Sequence, residues 1–313
     1  MSKCRRLQVS LNRVGLVIVA ALLISMVSLT LLVMNAEAKR SKGGPGCGGD
    51  LASLLDQVED GDVVEVLTGP TAWDSNGAIL TKNITIEGGW QLITTTCVSS
   101  DTSGSSFEWP AERSIIGDYP LDSIIRINPP LISTTMRYLD IVQVAGGVAQ
   151  GGAISGVISD GARLLLDNVL ITNSSADRGG GLYLEVRGNS QLILSDTDFT
   201  FNTAQNTGGG FEIHVFNNSQ VTIINSQVST NTATNGNGGG GRIVIHSGSV
   251  TIANSSFFDN QANGSGKGLL VEGVGSGPAY LILQNNVFSS SLQISGTVTV
   301  LDKQTFLPIV FKK

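Results

Sequence analysis

The chain contains 313 residues with a formal net charge of −6, and only 14% of its residues are charged. Hydrophobic residues make up 41% of the chain and aromatic residues only 5%, which indicates one elongated domain with a core of small aliphatic side chains. No cluster of Lys and Arg offsets the acidic balance, so the composition argues against a nucleic-acid partner.

The first 38 residues have the pattern of an export signal. Basic residues occur up to Arg13, and an uncharged apolar run extends from Val14 to Met34. Ala36 and Ala38 fit the small-residue cleavage pattern, and cleavage would leave a chain with 15 basic and 24 acidic residues. The apolar run of 21 residues is also long enough to span a bilayer, so an uncleaved anchor is the alternative. Either outcome predicts a protein that is secreted or held at the cell surface.

Two cysteines remain after processing, because Cys4 lies in the signal. Residues 39–49 are expected to form a Gly-rich linker, which contains Cys47, and Cys97 follows later in the chain. An even number of cysteines in an exported chain favours a disulfide. We therefore expect a bridge between Cys47 and Cys97 that holds a capping helix against an early coil, with free thiols as the alternative.

Residues 50–59 predict a short amphipathic helix. Leu51, Leu54, Leu55 and Val58 fall on one face, and Asp50 is a suitable N-cap. Such a helix would cover the open end of a β-solenoid and block edge-to-edge aggregation. Short strand patterns then add about three coils before the regular repeats, at Asp62–Leu67, Ile79–Glu87, Ile115–Gly117, Ile124–Asn128 and Met136–Val144.

A repeat of 29 residues dominates the second half of the chain, and its regular copies cover residues 151–291. Two columns of Asp and Asn follow this period, with a 31-residue step before the last copy. The first column consists of Asp167, Asp196, Asn225, Asn254 and Asn285. The second column consists of Asn173, Asn202, Asn231 and Asn260. A fixed period of this size indicates a solenoid, in which each turn packs against its neighbours.

Apolar and polar residues alternate within each copy, as at Leu182, Leu184 and Val186, and a period of two is the signal of a strand. Gly-rich corners such as 179–181 and 208–210 separate the strands. These features predict an all-β fold: a single-stranded right-handed parallel β-helix of about eight coils over residues 50–300, with a C-terminal cap or tail at 301–313. A leucine-rich repeat has a similar period and is the alternative fold.

The two columns are expected to stabilise the corners of the solenoid. Identical amide side chains stacked about 4.8 Å apart can hydrogen-bond along the stack and to the backbone of the neighbouring turn. In the first column Asp gives way to Asn, which suits a corner that needs a side-chain acceptor rather than a charge. We therefore interpret both columns as structural ladders.

Two motifs in the repeats resemble those of a known group of proteins. Gly151–Ile154 reads GGAI and Phe257–Asn260 fits FxxN, as in the repeats of polymorphic outer-membrane proteins and of exported pectin-lyase-like proteins. The segment 51–62 is similar to the N-terminal cap of the same superfamily. The resemblance covers about residues 50–291 and implies a right-handed parallel β-helix. It implies no particular activity, because the superfamily includes lyases, hydrolases, adhesins and proteins of no assigned role.

The sequence lacks the motifs that enzymes of this superfamily are expected to carry. It contains no Asp-Asp pair and no Gly-His-Gly, and the calcium-binding pattern Gly-Gly-x-Gly-x-Asp is missing from its corners. We therefore expect no cofactor and no metal site.

One set of side chains is predicted to lie together on the outward side of three successive coils, because strand residues alternate between core and solvent. It includes both histidines of the chain and consists of Tyr183, Glu185, Arg187, Glu212, His214, Arg242 and His246. Aromatic rings, carboxylates and guanidinium groups on a rigid backbone suit a carbohydrate ligand. Opposite charges on neighbouring strands are also ordinary cross-strand pairs, so a solvated face without a ligand is the other interpretation.

A structural, adhesive or glycan-binding role outside the cell is the leading prediction, for a monomer whose candidate partner is a polysaccharide or cell-surface glycan. Contact with a membrane is expected only through an uncleaved N-terminal segment. The alternative is a polysaccharide lyase or glycoside hydrolase, in which Glu185 and Glu212 on adjacent coils flank the scissile bond and His214 assists. Long loops that wall the face would favour the enzyme, and the short turns between the regular copies argue against such walls.

Overall fold

The described part of the chain contains the whole regular repeat. The computed structural model describes residues 40–43, 50–67, 73–75, 77–90, 113–117, 123–129, 133–143, 148–302 and 310–311. These residues belong to one compact unit, Lys39–Lys313. The predicted export signal and both cysteines of the predicted disulfide lie outside the described residues. Within the described ranges, no helix has the length and apolar character that crossing a membrane requires.

Three parallel sheets form the sides of a β-solenoid, and each strand pairs with its counterparts one turn earlier and one turn later. The main path of the first sheet consists of β1 (Arg40–Gly43), β2 (Val63–Leu67), β5 (Thr85–Trp90), β8 (Ser133–Val142), β11 (Arg163–Thr172), β14 (Gln191–Ser195), β18 (Ser219–Ile224), β22 (Gly248–Ala253), β26 (Ala279–Gln284) and β29 (Thr299–Asp302). Shorter strands branch from this path, namely β3 (Trp73–Asp74), β6 (Ser114–Gly117), β15 (Asp198–Thr200), β19 (Gln227–Ser229), β23 (Ser256–Phe258) and β27 (Val287–Phe288).

The other two sheets complete the cross-section of the solenoid. The second sheet consists of β4 (Ala78–Leu80), β7 (Ile125–Ile127), β10 (Ile154–Ile158), β13 (Leu182–Val186), β17 (Phe211–Val215), β21 (Gly241–Ile245), β25 (Leu269–Gly273), β28 (Leu292–Gly296) and β30 (Val310–Phe311). The third sheet consists of β9 (Val148–Gln150), β12 (Ser175–Arg178), β16 (Thr203–Thr207), β20 (Thr232–Ala233) and β24 (Gln261–Ala262).

Six regular turns run from β8 to β28, and two looser turns, β2 to β4 and β5 to β7, precede them. The predicted all-β parallel solenoid is therefore confirmed. The leucine-rich repeat is wrong for this chain, because each regular turn in the described part is built from strands and corners, with no helix on any side.

The core consists of aliphatic and phenyl side chains stacked in columns. Leu184 pairs with Ile213, and Ile213 pairs with Ile243 in the following turn; none of the three has exposed surface. Phe199 and Phe211 meet between two sides of the solenoid, with ring centres 5.2 Å apart. Each turn buries its apolar side only against its two neighbours, so the stability of one turn depends on the next.

Phe211 and Gly241 form a pair of one large and one small residue in adjacent turns. They share a register position, and a Cβ atom on Gly241 would lie 2.3 Å from Cζ of Phe211. Gly241→Leu is therefore expected to lower the free energy of unfolding by about 1 to 3 kcal/mol through overpacking. Urea unfolding measures the loss, and Phe211→Ala in the same chain should recover part of it. A single variant as stable as the wild type would contradict this packing.

A short helix, α1 (Leu51–Gln57), occupies the predicted position and packs against β4. The Asp50 side chain accepts a hydrogen bond from the Ser53 N–H at 2.7 Å and so caps the first turn. At the other end, the Lys82 ammonium donates to the backbone carbonyls of Leu55 and Val58, each at 2.7 Å. The helix is thus tied at its C-terminus to the coil that follows it.

Part of the predicted linker belongs to the solenoid. Arg40–Gly43 forms β1, which pairs in parallel with β2 and adds a strand to the edge of the first sheet. The sequence Arg-Ser-Lys-Gly has no apolar alternation, so strand patterns do not reveal it. The strand is instead defined by its parallel pairing with β2.

Asn202, Asn231 and Asn260 form a continuous buried ladder at one corner. The Nδ2 of Asn202 donates to Oδ1 of Asn231 at 3.0 Å, and Nδ2 of Asn231 donates to Oδ1 of Asn260 at 3.0 Å. Asn231 Oδ1 also accepts the backbone N–H of Asn202, and its Nδ2 also donates to the Phe199 carbonyl at 2.9 Å. The amide groups of Asn202 and Asn231 are therefore each bonded to the turn before and to the turn after, and that of Asn260 is bonded to the turn before it.

Asn173 was predicted in this ladder, and the structure places Ser174 there instead. The Ser174 N–H donates to Oδ1 of Asn202 at 3.0 Å. The step from β11 to β14 is 28 residues, as shown by the pairing of Leu166 with Leu194, so the 29-residue period fails between these turns. Asn173 lies in the neighbouring column, in left-handed conformation with a φ of 52°.

The same shift moves Asp167 out of the first column. Asp167 pairs with Ser195, so Asn168 is the counterpart of Asp196. The residues of this corner share left-handed backbone with φ between 47° and 53°, which Asn and Asp tolerate better than other residues, and they are Asn168, Asp196, Asn225, Asn254 and Asn285. The last three form an exposed amide ladder, with Nδ2 to Oδ1 distances of 3.4 and 3.3 Å.

A further buried ladder has members of different residue types, so the repeat of identical residues in the sequence does not reveal it. The Thr197 N–H donates to the Ser226 hydroxyl and the Ser226 N–H to the Ser255 hydroxyl, both at 3.1 Å. The Ser255 N–H then donates to Oδ1 of Asn286 at 2.9 Å. The corners between β14 and β15, between β18 and β19, and between β22 and β23 thus each have a side-chain acceptor for a backbone N–H group.

Candidate functional site

The seven residues of the predicted face lie on β13, β17 and β21 of the second sheet or just beyond their ends, and we call them the charged face. One register position holds Tyr183, Glu212 and Arg242. The next outward position holds Glu185, His214 and Val244. Beyond the strand ends lie Arg187, Phe216 and His246. Strand alternation therefore brings the predicted residues together on three successive turns.

Glu212 is the centre of the charged face and its side chain has no exposed surface. Its Oε1 accepts hydrogen bonds from Arg178, from His214 Nε2 at 2.8 Å and from Arg242 at 3.0 Å. Its Oε2 accepts the hydroxyl of Thr207. Arg178 and Thr207 belong to the third sheet, whereas His214 and Arg242 belong to the second. Donors from two sides of the solenoid therefore bind one carboxylate.

The structure corrects the exposure predicted for two residues of the charged face. Tyr183 is 5% exposed and Glu212 is 0% exposed, although both point away from the core. Arg178 covers them, because its guanidinium carbon lies 5.1 Å from the centre of the Tyr183 ring while the same group bonds to Glu212. The contact with Arg178 cannot be predicted from the sequence pattern. Alternation of residues along the strands of one sheet does not indicate which side chains extend over it from another sheet.

The hydrogen bonds of Glu212 determine its protonation. Burial raises the pKa of the carboxyl, but hydrogen bonds from His214, Arg178 and Thr207 and the charge of Arg242 outweigh burial and lower the pKa from 4.5 to about 2. A general acid must carry a proton near the working pH, and a general base must reach the substrate with a free lone pair. Glu212 has neither property, because it is ionised and enclosed by four donors.

The bond to Glu212 also fixes the tautomer of His214. An ionised carboxylate only accepts hydrogen bonds, so His214 Nε2 must carry the hydrogen that it directs to Glu212. Arg178 lies 3.1 Å from the same nitrogen and has no acceptor there, so the two groups act as parallel donors to Oε1. His214 therefore serves as a fixed donor in this arrangement, with Nε2 committed inside the cluster.

The remaining charges of the face are paired with one another. Arg242 Nε donates to Glu272 of β25 at 2.6 Å, so the cluster includes a carboxylate outside the seven predicted residues. Arg187 pairs with Glu185, and the Tyr183 hydroxyl donates to Glu185 at 3.3 Å. Three carboxylates and three guanidinium groups thus neutralise each other, once Arg178 is counted.

The aromatic groups of the face stack along the axis of the solenoid. The rings of Phe216 and His246 lie 4.1 Å apart with an angle of 12° between their planes. On the other side of Phe216, the Arg187 guanidinium carbon lies 4.7 Å from the ring centre. The Phe216 ring therefore lies between Arg187 of the preceding turn and His246 of the following turn.

The pKa values of two further groups of the charged face are shifted from their ordinary values. Burial lowers the pKa of His246 below 6.5, and the nearby His214 and Arg187 lower it further, so its imidazole is neutral at neutral pH. Burial raises the pKa of the Tyr183 phenol above 10, so it remains protonated. The charged face is thus a set of paired ions, a neutral imidazole and a neutral phenol.

The described residues contain no group of three or more His, Cys, Asp or Glu side chains placed to hold a metal ion. A scan against protein-family models found no match, and a search of curated proteins likewise found none.

Proposed function

We propose that this protein is secreted or held at the cell surface, and that it has a structural or adhesive role rather than a catalytic one. The export pattern of the first 38 residues supports the location. A rigid parallel solenoid supports the role, because it presents side chains in fixed columns over a long surface. A polysaccharide or cell-surface glycan is the proposed partner of the monomer.

We also propose kinship with pectin-lyase-like β-helix proteins that carry GGAI and FxxN repeats. The parallel solenoid supports this kinship, and so do the positions of both motifs. Gly151–Ile154 leads into β10, and Phe257–Asn260 runs from β23 into the buried Asn ladder. The final Asn of FxxN thus has a structural task in this chain, which is consistent with a repeat kept for its fold.

The observation that carries the non-catalytic proposal is the state of Glu212. A lyase or hydrolase that used this face would need Glu212 or its neighbours as an acid or base. Glu212 is buried, ionised and bonded to Arg178, His214, Arg242 and Thr207. Glu185, the other carboxylate of the predicted pair, is bonded to Arg187 and Tyr183.

Incubation with polysaccharides tests this proposal. The wild-type chain is expected to release no new reducing ends and no unsaturated sugars from charged or uncharged polysaccharides. If the wild type cleaves a polysaccharide and either Glu185→Gln or Glu212→Gln abolishes cleavage in a folded variant, the proposal is wrong and the polysaccharide lyase or hydrolase replaces it. Circular dichroism spectra of both variants establish that they are folded.

A further inference from the structure

Four neighbouring strands of the first sheet have an outward surface without charged side chains. The strands β14, β18, β22 and β26 contain no Asp, Glu, Lys, Arg or His, in contrast to β13, β17, β21 and β25 of the charged face. We call the outward side chains of these four strands the uncharged face. Arg163 and Asp167 of β11 border it, since they pair with Gln191 and Ser195 of β14.

The uncharged face is a regular array of small polar and apolar side chains. One column, half-buried, consists of Ile193, Thr222, Thr251 and Ile282. A second column, mostly exposed, consists of Gln191, Gln220, Ser249 and Tyr280. Amide, hydroxyl and methyl groups therefore alternate at the spacing of the strands, about 4.8 Å along the axis.

Three central polar side chains of this face are free to bind, unlike the carboxylates of the charged face, whereas the Ser195 hydroxyl at its edge donates to Asp196. Within the described part of the chain, the side chains of Gln220, Thr222 and Thr251 make no hydrogen bond to the protein. The Tyr280 side chain is 41% exposed, and its ring stacks on no other described ring. On the charged face, each carboxylate is already bonded to a guanidinium group of the protein.

We propose that the uncharged face binds an uncharged polysaccharide, an inference that rests on the adhesive role proposed above and gives it a surface and a ligand class. The hydroxyl groups of such a polymer match the free amides and hydroxyls of Gln220, Thr222 and Thr251. Its C–H surfaces match the methyl groups and the Tyr280 ring. A uronate or sulfated polymer would lose water from its anionic groups here and meet a cation only at the border, where Arg163 pairs with Gln191.

Size and composition favour a polysaccharide over a second copy of the chain. Four strands at about 4.8 Å, with about five residues each at 3.3 Å, cover roughly 300 Å² of surface. Stable protein interfaces bury about 800 Å² per partner and are enriched in aromatic residues, Met and Arg. Ser, Thr and Gln dominate the uncharged face, and Tyr280 is its one aromatic residue.

Affinity electrophoresis of the chain from Lys39 to Lys313 tests the proposal, in gels that contain an uncharged β-glucan, a mannan or, as the anionic probe, polygalacturonate. The wild type is expected to be retarded by an uncharged polymer and not by polygalacturonate. Gln220→Glu and Tyr280→Ala should each weaken retention about tenfold, through a lost contact worth one hydrogen bond or one stacked ring. The matched control is Gln205→Glu, the same change at an exposed residue of β16, and it should leave retention unchanged.

The outcomes separate this inference from the proposed function. If Arg187→Ala abolishes retention while Gln220→Glu and Tyr280→Ala leave it intact, the uncharged face is not the binding surface. The proposed adhesive role would still stand. Retention by polygalacturonate alone, or by none of the polymers, would overturn the proposed ligand class. If analytical ultracentrifugation shows a dimer and Gln220→Glu dissociates it, the occupant of the uncharged face is a second copy of the chain and not a polysaccharide. Cleavage of the polymer by the wild type would instead refute the non-catalytic role.

Discussion

Replacing Asn231 with leucine is expected to lower the free energy of unfolding by about 3 to 5 kcal/mol, because several buried polar groups lose their partners at once. The N–H and Nδ2 of Asn202 lose their acceptor, and the Phe199 carbonyl loses its donor. Leucine supplies neither a donor nor an acceptor in their place, and Asn231 has no exposed surface. The shift of the urea midpoint measures the loss.

The exposed ladder provides the control for this variant. Asn225→Gly removes an amide that bonds to Asn254 at 3.4 Å in contact with water, and glycine accepts the φ of 52° at this position. Its cost should stay below about 1 kcal/mol. Equal midpoints for Asn231→Leu and Asn225→Gly would show that burial of the ladder does not matter.

Glu212→Gln is expected to destabilise the protein by about 3 kcal/mol at neutral pH, because it leaves Arg178 and Arg242 without their shared buried counter-ion. The pH dependence follows from the lowered pKa. Folding depresses the pKa of Glu212 from 4.5 to about 2, so its contribution is fully present above pH 4.5 and is lost as the pH falls towards 2. That difference corresponds to about 3 kcal/mol.

Unfolding curves of both proteins between pH 7 and pH 2 measure this prediction. The gap between wild type and Glu212→Gln should narrow below pH 4.5 and nearly close at pH 2. The matched control is Glu272→Gln, which changes a carboxylate bonded to the same Arg242 but 26% exposed, and should cost at most about 1 kcal/mol. A gap that stays constant with pH would mean that the ion cluster does not hold Glu212 in its ionised form.

The period of the sequence predicts the architecture because a solenoid repeats one environment per turn. Leu184, Ile213 and Ile243 fall in one column as alternation requires. The period does not predict where a turn gains or loses a residue. Between these turns the change is a register shift within the pairing of β12 with β16, between Ala176 and Arg178, and no residue type marks it in the sequence. One such change makes Ser174 and Asn168, rather than Asn173 and Asp167, the first members of their columns.

The candidate site is predictable only within one sheet. Register brings Tyr183, Glu212 and Arg242 together as expected, because parallel strands keep neighbours in line. The contact of Arg178 with Tyr183 and Glu212 depends on the angle between two sheets and on the length of the arginine side chain. Neither follows from the spacing of residues in the sequence. Burial of Glu212, and with it the loss of a candidate acid or base, therefore required the structure. The disulfide between Cys47 and Cys97 stays a prediction, because both lie outside the described residues.

The buried Asn ladder has a consequence for how such a chain can evolve. Asn231 accepts from the turn before it and donates to the turn after it, and its neighbours Asn202 and Asn260 are of the same type. A tandem duplication of the 29 residues that end at Asn231 would therefore supply a new turn with suitable partners on both sides. The core columns would be extended by the same event. Gene duplication and deletion can thus lengthen or shorten this protein one turn at a time, changing its reach in steps of about 4.8 Å while the contacts within each turn stay the same.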